Sequence, residues 1–159
     1  MRRGVGAEMK EKDIIDRAFA KAEKMLGTSG ALYSSDLFGL PPELQVVVRV
    51  VSAQGVIDNG GFKYFFEADW PGQPPYEEFI RAYEAIGCQR AAADLRRVVE
   101  SFPFLEPHLH GEDRNAFMEA NYDDDAFEVR GWGDSLCGDK TIWSRLAEYC
   151  ERNRRPLGL

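Results

Sequence analysis

Apolar side chains recur at helical spacing in five stretches of the chain, and no stretch shows a sustained alternation with a period of two. The clearest amphipathic stripes cover residues 8–26, 75–87, 89–102 and 141–152. Gly27 and Pro103 directly follow two of these stripes and are typical of helix ends. The pattern predicts an all-α fold, a single compact domain over residues 1–159 with about six or seven helices.

The segment that follows Pro41 and Pro42 is apolar on nearly all sides. Proline suits the first turn of a helix, because the N–H that it lacks would have no intrahelical partner there. The valines between Val46 and Val51 are β-branched and would also suit a buried strand. A helix is favoured, because the segment continues without a breaker through Gln54 and has no clear strand partner. We expect it to be the central, buried helix.

Asn59-Gly60-Gly61 interrupts this pattern. Asn and Gly tolerate the left-handed conformation found at helix C-termini, so a helix end is favoured here over a contact with a ligand. A short aromatic helix is predicted next, and another short helix is predicted over residues 113–122. The aromatic helix would contain Phe62, Tyr64, Phe65 and Phe66.

Composition supports a packed domain without membrane spans: 44% of the 159 residues are hydrophobic and 30% are charged. No apolar run reaches the about 18–20 residues needed to cross a bilayer, and the N-terminus does not read as a secretory signal, so we expect a cytoplasmic protein. The cysteines are odd in number and lack a C-x-x-C spacing, which indicates buried thiols rather than disulfides or zinc ligands. They are Cys88, Cys137 and Cys150.

Acidic residues outnumber basic ones by 27 to 20, which gives a net charge of −7 at pH 7 and disfavours direct nucleic-acid binding. The excess is concentrated in residues 103–125, where Arg114 is the one basic residue. Such a cluster can be a solvated loop with a helix N-terminus, or an anionic face for a basic partner. Its seven acids are Glu106, Glu112, Asp113, Glu119, Asp123, Asp124 and Asp125. Glu77, Glu78 and Glu84 are the further candidates.

The sequence offers weak support for catalysis. His108 and His110 lie near several carboxylates and could ligate zinc, manganese or iron, but their spacing points the two imidazoles in different directions and matches no known metal motif. No nucleophile–base pair, nucleophile elbow or phosphate-binding loop is recognisable. We therefore expect no enzymatic activity and no cofactor, and a metal-dependent enzyme is the least favoured alternative.

The stretch from Val51 to Phe66, which reads VSAQGVIDNGGFKYFF, resembles the signature of the bacterial DNA-mimic protein 19 family, also described as a domain of unknown function. The segment from Glu78 to Gly87, the alanine-rich helix after it and Trp132-Gly133-Asp134 are also similar to that family. The resemblance covers about residues 40–153. Its structural signature residues are Asn59, Gly60, Gly61, Phe62 and Tyr64.

The resemblance implies an all-helical, dimeric protein. For the founding member of the family it implies a DNA-like acidic surface that occupies the DNA-binding face of a transcription factor. Together with the charge clustering, this predicts a cytoplasmic homodimer that binds a basic DNA-binding protein through the ten acids above. The alternative is a helical interaction scaffold or immunity-type protein that uses an apolar patch around Trp70 and Trp132.

Overall fold

The computed structural model describes residues 5–27, 37–122 and 136–159. Within these ranges the chain forms seven α-helices and two 3-10 turns, and it contains no strand. The helices are α1 (Val5–Leu26), α2 (Pro42–Glu67), α3 (Tyr76–Ala85), α4 (Gln89–Ser101), α5 (Gly111–Asn121), α6 (Lys140–Arg152) and α7 (Arg154–Leu157). The 3-10 turns cover Leu37–Gly39 and Pro107–Leu109. The predicted all-α fold is confirmed.

Helix α2 is the central element, as its apolar sequence predicts. It packs against α1, α3, α5, α6 and α7, while α1 also packs on α6 and α3 on α4. The valine run is helical, with Val47, Val48 and Val50 fully buried. Pro42 occupies the first turn, where the missing N–H costs no hydrogen bond. A helix surrounded by five others buries apolar side chains all round, which explains why it lacks a polar face.

The break predicted at Asn59-Gly60-Gly61 is a kink inside α2 rather than the end of the helix. Gly60 and Gly61 have non-helical backbone angles, and the helix resumes and runs to Glu67. Gly61 has φ 68° and ψ −163°, a region that is essentially restricted to glycine. A Cβ on Gly60 would lie 2.2 Å from the ring of Tyr64. The kink turns Phe62, Phe65 and Phe66 into the core and leaves Tyr64 exposed.

The remaining amphipathic helices lie close to their predicted ranges, and the cysteines partly depart from expectation. All three cysteines are thiols, but Cys150 alone is buried, whereas Cys88 is half-buried and Cys137 is exposed. Burial raises the pKa of the Cys150 thiol to about 12, because its thiolate would lose hydration. Among the described residues, no helix combines the length and apolar character that crossing a bilayer requires.

Candidate partner-binding surface

Four of the predicted acids lie together on α5 and the turn before it. We call Glu106, Glu112, Asp113 and Glu119 the α5 acidic surface; all four are exposed. Glu112 and Asp113 occupy the first turn of α5, where carboxylates favour the positive end of the helix dipole. Glu112 and Glu119 are seven residues apart and therefore point to nearly the same side of the helix.

Within the part of the chain that the structure describes, Glu106, Glu112 and Asp113 form no ion pair. Glu119 pairs with Lys63 of α2, with 2.9 Å between Nζ and Oε2. Within the described residues, the α5 acidic surface thus presents one compensated carboxylate and three that face solvent without a basic partner. Such carboxylates keep their full negative field for an approaching cation.

The one basic residue of this stretch, Arg114, is buried with 2% exposure. Its guanidinium donates to the carbonyls of Phe66 and Pro107, the latter at 3.0 Å, and to Oδ1 of Asp69 at 3.1 Å. These bonds join the C-terminal end of α2 to the Pro107–Leu109 turn and to α5. Arg114 thereby positions the α5 acidic surface, and the carboxylate of Asp69 compensates its positive charge.

The acids of α3 are in a different situation, because each is paired with an arginine. Glu78 forms an ion pair with Arg49 of α2. Glu84 lies 3.1 Å from Arg96 of α4, and Glu77 lies 3.4 Å from the same arginine. These side chains link α3 to its neighbouring helices, so they offer a partner less uncompensated charge than α5 does.

Two groups of predicted residues lie outside the described residues. They are Asp123, Asp124 and Asp125, which follow α5 in the chain, and Trp132-Gly133-Asp134.

The two histidines of the metal hypothesis contact different aromatic rings. The His108 ring lies 6.3 Å from that of Tyr76, and the His110 ring lies 5.9 Å from that of Phe104. Burial lowers the pKa of His108, which favours the neutral imidazole. The described ranges contain no group of three or more His, Cys, Asp or Glu side chains that could hold a metal ion.

Exposed apolar side chains flank the α5 acidic surface. Leu105 is 87% exposed and Leu109 is 45% exposed, on either side of Glu106 and Pro107. Trp70, in contrast, is half-buried against Phe65 and Phe79, and its indole N–H donates to the Phe65 carbonyl at 3.0 Å. The apolar contact area available near the acids is therefore supplied by leucines, which the sequence pattern did not single out.

A buried polar network within the family signature was also missed by sequence reasoning. Gln54 of α2 donates to the Leu136 carbonyl and to Oδ1 of Asp58, each at 2.7 Å, and accepts a bond from the Tyr83 hydroxyl at 2.9 Å. Asp58 also accepts bonds from Gly138 N at 2.8 Å and Trp143 Nε1 at 3.0 Å. Gln54 and Asp58 thus connect α2 to α3 and to the start of α6.

The signature residues themselves shape α2 rather than form a ligand site. Gly60 and Gly61 permit the kink, Phe62 is buried, and the Asn59 side chain donates to the Gly55 carbonyl of its own helix at 2.6 Å.

No curated protein and no solved structure matches the chain. A family model described as "DMP19-like protein" matches residues 39–153. Since this match covers most of the chain, the protein belongs to the DMP19-like family.

Proposed function

We propose that the protein binds a basic DNA-binding protein through the α5 acidic surface and thereby competes with DNA for that protein. The observation that carries this proposal is the charge arrangement on α5: Glu106, Glu112 and Asp113 are exposed without an ion pair in the described structure, and the neighbouring Arg114 is buried. Family membership supports the same class of function. The proposed role involves no catalytic step and no cofactor.

The spacing of the acids shows how much of a duplex α5 could imitate. Glu112 and Glu119 are about 10 Å apart along the helix axis, at 1.5 Å per residue. One DNA strand places a phosphate every 3.4 Å along its axis, so this length corresponds to about three phosphate steps. Because α5 is sparser than a strand, we include Asp123, Asp124 and Asp125 in the proposed surface. A homodimer would present two such surfaces.

Leu105 and Leu109 favour one alternative, in which the same face is an ordinary protein-interaction surface. Protein interfaces commonly combine an apolar centre with a polar rim, and the binding energy then comes mainly from the buried apolar side chains. In that case the acids would mainly affect solubility and the rate of association. The two functions differ in whether DNA and the protein compete for the partner.

The test uses capture followed by competition. The full chain serves as bait in a nuclease-treated bacterial lysate, and each captured protein is then purified and bound to a labelled DNA duplex. We expect the captured proteins to be basic and the chain to displace the duplex from them. The triple variant E106Q/E112Q/D113N should require at least about tenfold more protein for the same displacement, because three unpaired charges are lost.

A matched variant, D13N/D16N/E100Q, removes the same number of exposed carboxylates elsewhere and controls for net charge. It should displace the duplex as well as the unmodified chain does. Equal loss in both triple variants would show that only net charge matters. Captured proteins that bind the chain and DNA at the same time would contradict the proposal and support the scaffold alternative.

A further inference from the structure

A second site, unrelated to the α5 acidic surface, lies where α2 meets the loop before α3. A cavity of about 140 Å³ opens there, between one face of α2 and residues 70–79. Most of its wall is apolar. The polar residues that line it include Arg49, Ser52 and Glu78, and the apolar ones include Trp70, Pro75 and Phe79.

Arg49 is the unusual member of this lining, because a guanidinium is rarely this buried. Its exposure is 6%, and its guanidinium carbon lies 5.7 Å from the centre of the Phe79 ring. Glu78 is the acidic side chain that pairs with it in the described structure. Burial lowers the pKa of Arg49, an effect that Glu78 partly offsets.

The donors of Arg49 exceed the acceptors that its protein surroundings supply. A guanidinium carries five N–H groups, and within the described residues the one ion-pair partner of Arg49 is Glu78. Ser52 offers no negative charge, and its hydroxyl donates to the Val48 carbonyl. No nitrogen of Arg49 is among the fully enclosed, unpartnered atoms of the described side chains. The N–H groups that Glu78 does not engage can therefore donate to a molecule in the open cavity that Arg49 lines.

Water alone fills this cavity poorly. Its volume would correspond to about four or five waters at about 30 Å³ each, and each buried water needs at least two polar partners. Prolines, aromatic rings and aliphatic side chains form most of the wall, so polar side chains support waters only beside Arg49, Ser52 and Glu78. An apolar cavity of about 150 Å³ can hold a benzene ring, which is comparable in size.

From the buried guanidinium and the apolar walls, we infer that this cavity binds a small monocarboxylate with an apolar body, such as an aromatic acid. The carboxylate accepts hydrogen bonds from the N–H groups of Arg49 that Glu78 leaves available. The ring or alkyl group of the ligand packs against Trp70 and Phe79. Planar carboxylates match the fork of donors on a guanidinium, which gives the site its chemical preference.

Glu78 sets the affinity of this site, because its own carboxylate competes for Arg49. Glu78→Gln removes that negative charge while keeping the shape and length of the side chain. The variant should therefore bind a carboxylate at least about tenfold more tightly than the unmodified protein does. A cavity that selected only for apolar bulk would show no such gain.

Benzoate is the probe and benzamide is its neutral counterpart. Binding is followed by NMR, using the indole N–H signal of Trp70 as the reporter and that of Trp143, which bonds to Asp58 outside the cavity, as the internal control. We expect benzoate to shift the Trp70 signal saturably with a Kd of about 1 mM or tighter, and to bind more tightly than benzamide. Glu78→Gln should strengthen the binding of benzoate and leave the binding of benzamide unchanged.

The double variant R49M/E78L replaces the buried ion pair with apolar side chains of similar size, a change that cores often tolerate. It should lose the preference for benzoate over benzamide. R145M/E148L, which removes an exposed ion pair on α6, should keep it. Equal binding of the two probes, no gain in Glu78→Gln, or no saturable shift would overturn the inference. If the double variant fails to fold, the benzoate affinity of Glu78→Gln relative to that of the unmodified protein still decides the outcome. None of these results depends on the proposed binding of a DNA-binding protein.

Discussion

At the scale of single residues, polar side chains inside the helices hold the connecting segments in place. Gln54 is fully buried and satisfies groups from three elements at once. Burial raises the pKa of Tyr83 well above its ordinary value, so its hydroxyl stays neutral and donates to Gln54. Arg114 likewise donates hydrogen bonds to the end of α2 and to the turn before α5. Each of these side chains connects elements that are distant in sequence.

We expect Gln54→Leu to lower the free energy of unfolding by about 2–4 kcal/mol, because it leaves the Tyr83 hydroxyl and the Leu136 carbonyl without their hydrogen-bond partner. Urea denaturation followed by circular dichroism measures this loss. Gln89→Leu, at an exposed position of α4, makes the same chemical change and should alter stability by less than about 0.5 kcal/mol. Similar losses in both variants would mean that the network contributes nothing specific.

At the scale of elements, the kink in α2 decides which aromatic side chains reach the core. Phe62 and Phe66 are buried because the helix axis changes direction at Gly60 and Gly61. Phe66 then packs against Tyr76 and Phe102, with ring centroids 4.9 Å and 5.7 Å apart. Its carbonyl accepts a bond from Arg114. The position of α5, and hence of its acids, therefore depends on the kink.

Gly61→Ala should lower the free energy of unfolding by about 1–3 kcal/mol, because a Cβ is strained at the backbone angles of Gly61. Gly55 provides the matched control, since a Cβ there would meet nothing within 4 Å. Gly55→Ala should raise stability by up to about 1 kcal/mol through the helix propensity of alanine. Thermal and urea unfolding of the two variants should thus change in opposite directions. A neutral Gly61→Ala would show that the kink relaxes easily.

Hydrophobic periodicity was sufficient to predict the amphipathic helices and the central position of α2, because both follow from which side chains avoid water. It could not show that α2 continues beyond Gly61, since a kink and a helix end use the same residues. The charge cluster likewise indicated Glu112 and Asp113. It could not distinguish them from Glu77 and Glu84, because pairing with Arg96 depends on packing between helices. The burial of Arg49 and Arg114 was unpredictable for the same reason.

At the scale of the whole molecule, the net charge of −7 is compensated unevenly. Several exposed acids lie beside arginines of the same helix or a neighbouring one, as Glu148 does beside Arg145 at 3.1 Å and Glu151 beside Arg154 at 2.6 Å. Paired charges largely cancel beyond a few ångströms, and salt weakens what remains. The unpaired carboxylates at the start of α5 consequently keep their field toward an approaching basic protein.

Salt dependence separates the contributions of acids and leucines to partner binding. If the α5 acidic surface carries the attraction, raising the ionic strength from about 0.1 M to 1 M shortens the Debye length from about 10 Å to about 3 Å and should weaken binding by well over tenfold. E112Q/D113N should flatten this dependence, because fewer charges are left to screen. Leu105→Ser should instead weaken binding by a similar factor at every salt concentration, since burial of a leucine is not screened. Calorimetric titration of each variant against one captured partner measures both effects. If the affinity were insensitive to salt and lost mainly in Leu105→Ser, an apolar interaction surface would replace the proposed imitation of DNA.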